Sequence, residues 1–180
     1  MKQNRILRLS KVLAVFLFLC FGVACLILLL GFSTLFFKKS SFHIQPNVPT
    51  GIVFFNVAIG RPSEMSATAK QIAAVLTMLL TLSPWMALYY QAGSYFSLLS
   101  EGTSPFAAPL IKKMRLVNLL LYVSAILPVF VWPMIQWAFS GRLELSLVLS
   151  DTLFMAIILT ILIEIFRYGA ELQHEVEETV

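Results

Sequence analysis

Three stretches of this chain, residues 12–37, 71–100 and 116–141, contain no Asp, Glu, Lys or Arg at all. Each exceeds the roughly 20 apolar residues that cross a hydrocarbon core of about 30 Å. A backbone in lipid has to satisfy its own hydrogen bonds, so such runs become helices. A fourth apolar run, 147–165, is interrupted by Asp151 and Glu164. The chain is 59% hydrophobic and 12% charged, where soluble domains carry about 25% charge. These features predict an all-α membrane protein, a single domain of four transmembrane helices in a bundle. The expected spans are about 12–37, 72–95, 116–139 and 147–165, with a loop over 38–70 and a tail over 166–180.

The flanks set the expected orientation. Lys2, Arg5, Arg8 and Lys11 precede the first run, which is too long for a signal-peptide core and has no A-x-A-like site after it, so it reads as a retained helix. With both termini and the 101–115 connection on one side, that side holds eight Lys and Arg. The other side holds five: Lys38, Lys39, Arg61, Lys70 and Arg142. The excess predicts that both termini are cytoplasmic. Trp132 and Trp137 mark the outer interface of the third helix.

The 38–70 loop contains Pro46, Pro49, Pro62, Gly51 and Gly60, which exclude a continuous helix. Residues 42–44 and 52–57 are β-branched and aromatic, and are expected to pair as a short hairpin on the extracytoplasmic surface. Pro84 is expected to kink the second helix, and the carbonyl it frees needs another partner. Gly102 and Pro105 mark a turn, and residues 107–115 an amphipathic approach to the third helix.

Chemistry-bearing motifs are sparse. The sequence has no H-E-x-x-H, G-x-S-x-G or phosphate-cradling glycine loop, so no catalytic residue, metal or cofactor is expected. Cys20 and Cys25 lie inside the first apolar run and read as packing residues. The basic residues cluster at span ends rather than in a stripe, which argues against direct nucleic-acid binding and for contact with the lipid bilayer. Asn118 and Gln136 are explained by hydrogen bonds between helices.

The densest polar pattern is the tail. Glu164, Arg167 and Glu171 fall at helical spacings of three and four, and Tyr168, Leu172, Val176 and Val180 recur every fourth residue. Such a helix can dock on the 101–115 segment or on a cytosolic partner. A bland reading, a solvated helix that only terminates the span, competes with it. Asp151, an ionisable residue in an apolar run, is a functional-site hypothesis by default. It lies about one turn from the expected outer end, where water and Arg142 are within reach. Glu164 is expected to pair with Arg167 or Arg115.

The closing segment EIFRYGAELQHEVEETV and the segment SLLSEGTSPFAAPLIKKMRLVN together resemble the YoaS-like family of small bacterial membrane proteins, a domain of unknown function. Phe166, Arg167, Gly169, Leu172, Gln173, Glu175, Thr179 and Val180 match its closing pattern. Glu177 stands where that family commonly has Asp, and Gly102 and Pro105 are one residue further apart than in its turn. The resemblance implies four helices, no known reaction, and a link to small helix-turn-helix regulators. The expectation is a non-enzymatic interaction module. Its tail residues Phe166, Arg167, Gly169, Glu171, Leu172, Gln173, Glu175, Glu177 and Thr179 would engage such a regulator. The alternative is a small transporter or permeation protein, a homo-oligomer, using Asp151 and the bends at Pro84, Pro128 and Pro133.

Overall fold

The computed structural model describes residues 2–35, 51–60, 66–141 and 143–178. In chain order the elements are α1 (Lys2–Ser33), β1 (Gly51–Ile59), α2 (Ala67–Ser100), α3 (Ala108–Ser140), β2 (Leu143–Ser150) and α4 (Asp151–Glu178). All four helices are long and apolar enough to cross a membrane, the pattern of a multi-pass membrane protein.

The helices alternate in direction and pack serially: α1 on α2, α2 on α3, α3 on α4. Among the described residues no other helix pair packs to a comparable extent. The helix contacts are thus those between sequence neighbours. Association in lipid rests on close packing and hydrogen bonds rather than on hydrophobic collapse, so seams matter more than a centre. On α1 the seam is Ser10, Ala14, Leu17, Phe21, Ala24, Leu28 and Gly31, all buried or half-buried. Their alternating spacing of four and three is the a/d repeat of left-handed helix packing. A small buried apolar cluster, Ala73 with Val131 and Ile135, lies in the α2–α3 seam.

Hydroxyls in the helices bond back to carbonyls of the preceding turn, as Ser10 does to Ile6, Thr77 to Ala73 and Ser124 to Leu120. One of them performs the service expected at Pro84. Proline cannot donate to the carbonyl of Leu80, and the hydroxyl of Ser83 donates to it instead, at 3.2 Å. The helix continues unbroken through Pro84.

The largest departure from expectation is the ribbon. β1 pairs antiparallel with β2, from Gly51 opposite Ser150 to Ile59 opposite Leu143, with an irregularity between Val53 and Phe55. The partner of 52–57 is therefore a distant strand, and residues 42–44 lie outside the described residues. The sequence LELSLVLS alternates with period two, the signature of a strand. Residues 147–150, expected to open the fourth membrane helix, belong to this strand instead. Gly141 ends α3 in the left-handed conformation (φ 70°), its N–H donating to the Trp137 carbonyl at 2.9 Å. Ser150 ends β2 and also caps α4, accepting from the N–H of Leu153 at 3.2 Å. The ribbon thus joins the α1–α2 connection to the α3–α4 connection at one end of the molecule. The α2–α3 turn, the start of α1 and the tail lie at the other.

The remaining bounds also shift. α1 starts at Lys2, and α2 runs past both predicted ends. Ser66 caps α2, accepting from the Ala69 N–H at 3.2 Å. Residues 108–115 are simply the first turns of α3.

Candidate functional site: the tail of α4 and the α2–α3 turn

α4 carries its helix without a break from the ribbon to Glu178. One of its faces, with Ala156 and Ile163 buried and Leu159, Phe166 and Ala170 half-buried, turns inward. The opposite face, Phe154, Ile158, Ile161, Ile165, Tyr168 and Leu172, is exposed throughout.

Two of the nominated tail residues are used inside the molecule. The Phe166 ring lies 5.7 Å from the Phe106 ring, centroid to centroid, at 53°. A Cβ placed on Gly169 would meet the edge of Phe106 at 2.9 Å. Only a residue without a side chain lets the ring come this close. The α2–α3 turn and the start of the tail, the two segments that carry the family resemblance, therefore meet at Phe106. That turn is built by Gly102 at φ 90° and by the Phe106 N–H, which donates to the Ser104 hydroxyl at 3.3 Å.

Of the other nominated residues, Arg167, Glu171, Leu172 and Glu175 are exposed. Arg167 pairs with Glu164 at 3.1 Å and with Glu171 at 3.6 Å. All three side chains are about half exposed or more, so each pair adds only about 0.3–0.5 kcal/mol. The backbones of Gln173 and Glu177 belong to α4, while their side chains and all of Thr179 lie outside the described residues.

Asp151 stands at the very start of the fourth candidate span, not one turn into it. It is the first residue of α4 and is exposed. A carboxylate there is favoured by the positive end of the helix dipole, a structural reason for its presence. Arg142, its expected partner, lies outside the described residues. Glu164 pairs with Arg167; among the described residues it makes no pair with Arg115.

Sequence reasoning missed a polar cluster between α3 and α4. The amide of Asn118 donates to the Thr160 hydroxyl at 2.9 Å, and Tyr122 Oη lies 3.0 Å from the same oxygen. Thr160 spends its own proton on the Ala156 carbonyl, so Tyr122 must donate to it. Asn118 is 8% exposed, and its Oδ1 has no partner among the described residues. Asn118 was legible as an interhelical residue; Thr160, one hydroxyl in an apolar run, gave no signal. Phe106 gave none either.

No protein-family model, curated protein or solved structure matches the chain. The functional reading therefore rests on the residues and the geometry just described.

Proposed function

We propose that the chain is a non-enzymatic interaction module of a bacterial inner membrane, with both termini cytoplasmic. Its tail engages a small cytosolic helix-turn-helix regulator. The observation that carries this reading is the division of labour on the tail helix. Phe166 and Gly169 hold it against Phe106, while Tyr168, Leu172 and the carboxylates of Glu171 and Glu175 are exposed. An apolar pair flanked by acidic groups suits the basic, amphipathic surface of a DNA-binding protein. The transport alternative asks for a charge inside a span. Asp151 is exposed at the very head of α4, the first residue of its candidate span rather than one near its middle, which favours the interaction reading.

The test is crosslinked capture from native membranes, comparing the intact chain with one ending at Ala170. Recovery of a helix-turn-helix protein by the intact chain alone supports docking on the tail. Charge reversal at Glu171 and Glu175 should abolish that recovery while leaving the helix content unchanged. Equal recovery by both chains, or by neither, refutes the proposal.

A further inference from the structure

The first turns of α3 hold three cations, Lys112, Lys113 and Arg115. The first turn has no acidic residue and the N-cap position no side-chain cap. On α4, Arg167 is neutralised by two carboxylates. Among the described residues, none of the three α3 cations is ion-paired.

Lys113 differs from its neighbours. Lys112 and Arg115 are exposed, whereas Lys113 is half-buried and its Nζ donates to the Ser94 hydroxyl of α2 at 2.6 Å. That bond fixes the ammonium at the α2–α3 seam. It uses one of three N–H donors, and the Ser94 proton is still available. The pair thus presents three donors and a full positive charge with no anion beside it. A phosphate diester, with two non-bridging oxygens and one negative charge, matches that set.

What lies beyond these cations indicates where the phosphate comes from. Leu116, Leu119, Val123 and Ile126 are all exposed and recur at alternating spacings of three and four. They form one apolar track along α3, starting one turn from Lys112 and bracketed by Lys113 and Arg115 on the helical wheel. From Lys112 to Val123 the helix rises about 16 Å, roughly half a bilayer core. A head that binds phosphate, followed by an acyl-length apolar track, describes a diacyl lipid rather than a free anion.

We propose that the α2–α3 seam binds the phosphate of an anionic membrane lipid on Lys113 and Ser94, its acyl chain lying along Leu116, Leu119 and Val123. The test is native mass spectrometry of the purified chain in detergent with added phosphatidylglycerol or phosphatidylcholine. The intact chain should retain phosphatidylglycerol preferentially. Lys113→Gln should weaken retention roughly fivefold. Lys113→Arg should keep most of it, and Lys11→Gln, the same charge change on α1, should leave it unchanged. Ser94→Ala removes only the hydroxyl that positions Lys113 and should also weaken retention, so the test survives if Lys113→Gln fails to fold.

Three results overturn the proposal. One is equal retention of the two lipids. Another is equal loss in Lys11→Gln and Lys113→Gln, which indicates diffuse charge attraction, or no loss in either Lys113→Gln or Ser94→Ala. The third is displacement of the lipid by inorganic phosphate, which indicates a site for free anions.

Discussion

Gly169→Ala tests the contact that holds the tail. In a solvent-facing helix this change stabilises by about 1 kcal/mol, because glycine has more backbone freedom to lose. Here the added methyl would stand 2.9 Å from the Cε1 of Phe106 and 3.4 Å from its Cδ1. Phe106 is exposed at the turn, so its ring can swing clear. Swinging clear sacrifices the stacking with Phe166, worth about 0.5–1.5 kcal/mol beyond the area it buries. The two effects nearly cancel, and Gly169→Ala alone should change stability by less than about 1 kcal/mol. The informative quantity is the coupling. In a Phe106→Ala background the clash is gone and Gly169→Ala should stabilise by the full amount, about 1 kcal/mol. Equilibrium unfolding in mixed micelles of the four chains of this double-mutant cycle measures the difference. An effect of Gly169→Ala that is the same in both backgrounds would mean that Phe106 does not press on the glycine, and the account of the tail clamp would be wrong.

Three further outcomes follow from the geometry. Thr160→Val should destabilise more than Asn118→Leu, by about 1 kcal/mol in the same unfolding assay, because it orphans two donors while the latter removes a donor and an unpartnered acceptor together. Gly141→Ala should cost about 1 kcal/mol or more, read as a lowered thermal midpoint, since its φ of 70° disfavours any side chain. Cysteines at Asn56 and Ser146, opposed in the ribbon, should form a disulfide under mild oxidation. A pair at Asn56 and Glu144, one strand period away, should crosslink far less.

The membrane helices were legible because lipid imposes one dominant demand, apolarity over sufficient length, and three of the four runs meet it without a single charge. The ribbon was not legible as a pairing. Residues 52–57 read as a strand from their own composition, but their partner lies almost a hundred residues away, and nothing local names it. The second half of LELSLVLS, 147–150, was absorbed into the neighbouring apolar run because its apolar residues satisfy both patterns; the alternation was there to read. The place of Asp151 shifts for the same reason. With 147–150 taken as helix, the aspartate falls about one turn into the run, whereas the cap at Ser150 makes it the first residue of α4. In the tail, the charge spacings gave the Glu164–Arg167–Glu171 pairs directly, since such pairs depend only on helix geometry. Phe106 depended on how a turn folds back, which no periodicity reports.

The double duty of Ser150 has a mechanical meaning. It is the last residue of the ribbon and the cap of α4, so no loop separates sheet from helix. α4 has 28 residues and is about 42 Å long. A strand shifts register only in steps that preserve its faces, two residues or about 7 Å at a time. No intervening loop is there to absorb such a step, so a change of register in the ribbon has to be met at the first turn of α4. The start of α4 is thus fixed by strand pairing at one end, and its tail meets the ring of Phe106 at the other.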